Sequence, residues 1–307
     1  NKALESKNTE IMAASEELEK ALDKITQQAL NIRKSINYAQ GIQKALLPEE
    51  ESLNQYLKDS FILFKPRDVV SGDFYYFRCV DRKSDVYKVL NIFEARKSAK
   101  KIALDQNKEK NLILSAIDCT GHGVPGAFMS MIGYNLLDEI IDRGVTRPDL
   151  ILDELHKGIR KTLKQEITDN RDGMDMALVV IDCTANKIEY AGAKNPLVYI
   201  QNGEVKMIKG DKNPIGGLQT EHERKFRKHT VSINGPTWFY IFSDGFIDQF
   251  GGEDDRKYMI RNFRKLLYEN HKKPMAEQKN VLEVELNNWK GNKKQVDDIL
   301  VIGFRIN

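Results

Sequence analysis

The chain has little that would staple, anchor or polarise it. Only three of its 307 residues are cysteine, Cys79, Cys119 and Cys183, widely spaced and without a CxxC pair. That excludes a disulfide framework and a zinc knuckle and points to a reducing compartment. No apolar run approaches the roughly 18 residues that a membrane span needs, and the opening NKALESKNTE has neither the charged nor the apolar region of a secretion signal. Charge of one sign is also missing: 48 Lys and Arg stand against 45 Asp and Glu, a net of +3, so nothing chain-wide attracts nucleic acid or an anionic membrane. What remains is core-forming. Hydrophobic residues at 41% and charged residues at 30% exclude bulk disorder, and the length allows one large domain or two ordinary ones. The expectation is a cytoplasmic chain without membrane contact of its own. Because it opens on Asn1, it is read as a piece of a longer protein whose upstream part could be membrane-tethered.

Residues 1 to about 47 hold no proline and one glycine, and their apolar residues step by four and three. Leu4, Ile11, Leu18, Ile25, Ile32, Ala39 and Leu46 fall at heptad position d, with Asn8, Ser15, Leu22, Ala29, Ile36 and Gln43 at a. A single helix lying on a globular body would drift about 20° per heptad out of such a seam. Six heptads in phase therefore predict a dimerising coiled coil whose polar a residues fix register. Pro48 stops that helix, and 1–47 is expected to be a linker ahead of one domain over 48–307.

Beyond Pro48 the pattern turns to short β-rich runs: 60–64, 74–80, 111–117, 176–182, 187–192, 197–200, 229–233, 237–242 and 298–306. Asn202-Gly203 marks a tight hairpin. Helical spacing predicts one helix pair over about 124–143 and 148–168, and another over about 255–270 and 274–290. Strand groups interrupted by paired helices mean α+β. The Lys-rich stretch 94–110 has no interleaved aromatics and reads as a solvated loop rather than a nucleic-acid patch.

Two motifs invite a nucleotide reading and fail it. Gly121-x-Gly123-x-x-Gly126 follows a strand and opens a helix, but two helices follow where a dinucleotide site needs a second strand ending in an acid. Its glycines are read as a turn that lets backbone approach closely. The GGEDD at 251–255 superficially matches the signature of diguanylate cyclases, yet its downstream flank is helical, so a polar loop is expected. What remains is aspartate at strand ends: Asp73, Asp118, Asp244 and the pair Asp297-Asp298. Gathered at neighbouring strand ends, such carboxylates repel by about 4 kcal/mol per close pair at moderate dielectric. A cation relieves this, and an all-oxygen donor set selects Mg²⁺ or Mn²⁺. Two such ions can activate a water for in-line attack on a phosphoryl group.

At these residues the chain resembles the metal-dependent protein phosphatases of the 2C type, in the SpoIIE-like branch that includes sigma-factor regulators. The resemblance spans about residues 35–306, through VVSGDFYYF, AIDCTGHGVPGAFMSMIG, MDMALVVID, YAGAKNPLVYI, NPIGG, FSDGFIDQFGG and VDDILVIG. It implies an α-β-β-α sandwich of two antiparallel sheets flanked by helix pairs, with a two-ion site at one edge. Carried over by position, Asp118 would bridge both metals, with the Cys119 carbonyl on one of them. Asp73 would complete that ion directly or through water, and Asp244 and Asp297 would hold the other; Asp118 and Asp244 are the expected catalytic residues. Relatives commonly read DDIT where this chain has DDIL, which leaves Asp298 as the alternative to Asp297. His122 is read as a loop residue near the metals rather than a general acid. The implied activity is hydrolysis of phosphoserine or phosphothreonine on a STAS-domain antagonist of an anti-sigma factor, under control of an upstream sensor through the coil. The alternative is a catalytically silent scaffold of the same fold, against which every acid being present argues.

Overall fold

Alternation along the strands decides the layering. In β14 (Ile299–Ile306), Ile299 and Val301 join Phe242, Phe263 and Leu282 in one core, while Leu300, Ile302 and Phe304 join Phe239, Leu114 and Val179 in another. In β4 (Lys110–Cys119), Leu112, Leu114 and Ala116 face that same second core, and Ile113 and Ile117 face a third, with Leu137, Ile151 and Leu155. Strands apolar on both faces need cover on both, and three stacked cores mean four layers. The computed structural model describes residues 2–81, 88–89, 110–182 and 186–307.

The layers are α-β-β-α, as expected. One sheet has five antiparallel strands in the order β1 (Ser60–Lys65), β14, β11 (Thr237–Phe242), β7 (Leu197–Gln201) and β8 (Glu204–Ile208). The other has seven: β10 (His229–Ser232), β6 (Lys187–Ala193), β5 (Gly173–Asp182), β4, β2 (Phe74–Asp81) and β3 (Lys88–Val89), with β9 (Ile215–Gly216) beside β5. Helices α3 (Gly123–Asp142) and α4 (Pro148–Thr162) cover the seven-stranded sheet. On the five-stranded sheet lie α6 (Met259–Asn270) and α7 (Met275–Lys290). Two short helices, α2 (Glu50–Leu53) and α5 (Gly245–Asp248), complete the order. The β7–β8 hairpin turns at Asn202 (φ 53°) and Gly203 (φ 77°), the left-handed pair that Asn-Gly predicts.

Two local expectations change. Helix α4 ends at Thr162, six residues early, because Lys164 turns left-handed (φ 53°) and Gln165 N–H donates to Arg160 O, closing a Schellman-type cap. The GGEDD segment forms the tip of a hairpin between β12 (Phe250–Gly251) and β13 (Arg256–Lys257) rather than an unpaired loop; it is seated by Gly252 N–H donating to Trp289 O. Cys79 and Cys119 are buried and form no disulfide among the described residues, whereas Cys183 and the Lys-rich 94–109 lie outside them.

Helix α1 (Lys2–Leu46) stops two residues before Pro48, as the proline requires. Its d residues stand open, Leu18 being 72% exposed, until the last turns, where Gln43 is buried. The a position of the final heptad therefore docks onto the body instead of a seam. No helix among the described residues is long and apolar enough to cross a membrane.

Candidate metal centre

Antiparallel register gathers the acids. Phe74 at the start of β2 pairs with Ile117 near the end of β4, which places Asp73 beside Asp118. Phe242 at the end of β11 pairs with Val301, and Ser243 N–H donates to Leu300 O, which places Asp244 beside the Asp297-Asp298 pair. One pair comes from each sheet, at the same edge. Asp118, Cys119, Asp244 and Asp297 line a single cleft of about 360 Å³, and Asp73 is buried behind it. Asp175, directly opposite Asp118 across the β4–β5 ladder, joins the lining. Sequence reasoning gave Asp175 no role, although it opens the apolar run MALVVID much as the other acids adjoin theirs.

The two carboxylates of the last motif differ. Asp298 Oδ1 accepts from Arg67 N–H at 2.7 Å and Oδ2 from Gly72 N–H at 2.7 Å, so Asp298 clamps the 66–72 loop. Asp297 lines the cleft and accepts Asp298 N–H at 2.9 Å. The Cys119 side chain is buried in the core beneath α3, with burial and then Asp118 pushing its thiol well above the usual range, so its backbone is what faces the cleft. His122 lines the cleft with Nδ1 2.8 Å from Asp68 Oδ2, and both side chains are exposed.

The glycines of the dinucleotide-like motif have a steric purpose. A Cβ on Gly126 would stand 2.3 Å from Gly121 O and 2.8 Å from Gly72 Cα, and one on Gly72 would stand 2.4 Å from Gly121 O. Three backbones meet there without side chains, which draws the loop before Asp73 against the loop after Asp118.

Asp73, Asp118, Asp175, Asp244 and Asp297 are each held above the ordinary carboxylate range. For Asp73 and Asp118 burial is the main cause, followed by their acidic neighbours: Asp298 and Asp297 act on Asp73, and Asp73 and Asp244 on Asp118. Asp244 is pushed up to about 6 by burial, then Asp248 and Asp297. Asp297 is raised by burial and Asp298, and Asp175 by burial against the pull of Lys194. Asp73 Oδ2 is buried without a hydrogen-bond partner among the described residues. No group of three or more His, Cys, Asp or Glu is closed into a ready cage among those residues. The carboxylates are neighbours that repel, and an orphaned buried oxygen within an all-oxygen donor set fits a hard divalent cation.

Comparison with known proteins agrees with this fold. The family model for stage II sporulation protein E (SpoIIE) matches residues 108–307. The SiaA-PP2C domain of Pseudomonas aeruginosa is 32% identical over 91% of this chain and 98% of its own, with a TM-score of 0.72. In fold alone, the chain is similar to the PP2C phosphatase domain of SpoIIE from Bacillus subtilis, solved with a fragment of its regulatory domain (12% identity, 80% of this chain and 62% of that, TM-score 0.57). It is also similar to RsbX in complex with magnesium (13% identity, 81% and 94%, TM-score 0.50). No curated protein matches the chain in sequence.

Proposed function

The chain belongs to the SpoIIE family of PP2C-type protein serine/threonine phosphatases, and from that premise we propose that its acidic cleft hydrolyses phosphoserine or phosphothreonine on a regulatory protein. The observation that carries this is the convergence of Asp73, Asp118, Asp244 and Asp297 from both sheets on one edge, with Asp73 Oδ2 unsatisfied. Two ions, Mg²⁺ or Mn²⁺, are the cofactors of this reading. Asp118 would hold both, Asp73 and the Cys119 carbonyl would complete one, and Asp244 and Asp297 would hold the other. Choosing Asp297 over Asp298 is supported by the two backbone N–H groups that already occupy the Asp298 carboxylate. The metal-bound RsbX of the same fold supports divalent chemistry here. When bound, such ions supply charge neutralisation for the phosphoryl group and lower the pKa of a water. The chain's own part is to keep the acids converged: the Asp298 clamp fixes the loop before Asp73, and the glycine contact fixes that loop to the one after Asp118.

The substrate of this reading is a phosphorylated STAS-type antagonist of an anti-sigma factor, taken over from the resemblance. Residues 1–47 act as the dimerising linker from an upstream sensor and 48–307 as the phosphatase domain, in the cytoplasm; the exposed heptad face of α1 supports the linker. The test is release of phosphate from p-nitrophenyl phosphate and from phosphorylated STAS proteins encoded near this gene, with Mn²⁺ and with chelator. Metal-dependent release from both is expected. An inert protein under every metal condition overturns the reading, and turnover of the small ester alone overturns the substrate.

A further inference from the structure

The cleft that gathers acids also has cations in its wall, and the sheet-edge acids leave them unexplained. Arg171 and Lys194 both line it. They come from different elements, the turn before β5 and the turn that leads from β6 in the seven-stranded sheet to β7 in the five-stranded one. We infer that Arg171 and Lys194 form the anchor for the phosphoryl group of the substrate, making the cleft selective for dianionic phosphate monoesters. This rests on the phosphatase reading and adds the residues that recognise the scissile group.

Three observations carry it. Arg171 is presented by a stiffened turn. Asn170 Oδ1 accepts from Asp172 N–H at 3.0 Å, Gln165 Nε2 donates to Asn170 Oδ1 at 3.0 Å and to Asp172 O at 2.6 Å, and Gly173 is tied to Thr120 by Gly173 N–H donating to Thr120 Oγ1 at 3.0 Å. Both chain neighbours of Arg171 are thus pinned, yet its own guanidinium has no hydrogen bond or ion pair among the described residues. A fork of donors carried on a pinned turn and unspent at a cleft wall suits the oxygens of a phosphate.

Lys194 occupies a left-handed backbone position, φ 59°, that favours glycine or asparagine. The turn holds it there through Lys194 N–H donating to Asp211 O at 2.7 Å. The turn thus fixes where the Lys194 side chain leaves the backbone, at the cleft wall. Its ammonium lies 3.1 Å from Asp175 Oδ2 at the cleft, half exposed and therefore reachable by a second anion. The third observation is charge balance: Asp118, Asp175, Asp244 and Asp297 would repel a phosphate dianion, and these two side chains are what the wall offers against them.

The experiment titrates inorganic phosphate calorimetrically into the full chain with Mn²⁺ present, for wild type, Arg171→Ala, Arg171→Lys and Lys194→Gly. Arg171→Ala should weaken phosphate binding by about tenfold or more, and Arg171→Lys should restore part, since an ammonium replaces the charge but not the fork. Lys194→Gly should weaken binding while thermal stability holds or rises, because glycine fits φ 59°. With p-nitrophenyl phosphate, Arg171→Ala should raise KM more than it lowers kcat and leave the Mn²⁺ dependence unchanged, a split that a merely structural residue would not give. Phosphate binding that is absent in wild type, or equal in wild type, Arg171→Ala and Lys194→Gly, overturns the anchor. A wild type that binds phosphate but hydrolyses no ester overturns the phosphatase reading instead, since the titration needs no turnover.

Discussion

At the scale of single residues, two side chains do different work through burial. Asp118 sits one place from the end of β4 with acids on several sides, and it stays charged at neutral pH only at a cost that a cation removes. Asp118→Asn keeps the shape and deletes the charge. It should lower Mn²⁺-dependent phosphatase activity by about a thousandfold or more while circular dichroism is unchanged; retained activity would remove Asp118 from the site. His156 uses burial the other way. Its Nδ1 accepts from Gly216 N–H at 3.0 Å, so the proton sits on Nε2 and faces Gln219 Oε1 at 2.9 Å. Burial chiefly, with Arg224 and Arg160 nearby, holds its pKa below the ordinary value. A lowered histidine is neutral when folded, so the stability it contributes is present above the unfolded value, about 6.5, and is lost as pH falls through the folded one. The melting temperatures of wild type and His156→Gln should therefore differ most near pH 7.5 and converge as pH falls toward 5. A gap constant with pH would mean that the imidazole does not titrate in that window.

Elements owe their function to where their ends are pinned. The last turns of α1 reach the metal-site loop through one side chain: Gln43 Nε2 donates to Ser71 O at 2.6 Å and to Ser130 Oγ at 2.9 Å, and Gln43 Oε1 accepts Ser71 N–H at 3.1 Å. Ser71 is two residues before Asp73. Gln43→Leu fills similar space but leaves both backbone groups of Ser71 unpaired, which costs about 1–3 kcal/mol. It should lower the melting temperature and raise the Mn²⁺ concentration needed for half activity; wild-type Mn²⁺ dependence per folded molecule would show that the contact only holds the helix down. In sequence, Gln43 looked like one more polar a residue, because heptad position says nothing about which partner a polar group finds. The longer strands and most helix bounds were legible, since apolar alternation and the 3.6-residue period are local. Lys164 was not, because a lysine gives no local sign that a left-handed cap will end α4 there. Asp73, Asp118, Asp244 and Asp297 could be picked out at strand ends, and their pairing follows from register. Arg171 could not, since its place depends on which turn the fold sets beside β4, and Asp175, though it adjoins an apolar run as the others do, reaches the site only through the β4–β5 register.

The whole molecule carries an exposed apolar stripe on a helix of 45 residues, about 68 Å long at 1.5 Å per residue. Ile11, Leu18, Leu22, Ile25 and Ile32 are each 60% or more exposed, although every one lies on the a/d seam. Their period decides what can cover them. A stripe at 3.5 residues per turn stays straight only against another helix that supercoils with it, whereas a globular surface would cover it for a turn or two. Among the described residues the body covers the helix only at its end, by Gln43 and its neighbours, so the remaining length suits a second copy in parallel. Parallel pairing would also place two bodies at the same end, both linked to one coil, which is the arrangement a sensor upstream could twist. Leu22→Asp with Ile36→Asp buries two charges per chain in that seam, and no opposite charge is there to compensate them. Sedimentation should give a wild type of twice the chain mass and a double variant of the chain mass at the same concentration. The variant should keep its melting transition, because Leu22 and Ile36 lie outside all three cores of the body. A wild type that sediments as a monomer across that concentration range would leave α1 as a single helix, and control through the coil would have to act on one chain at a time.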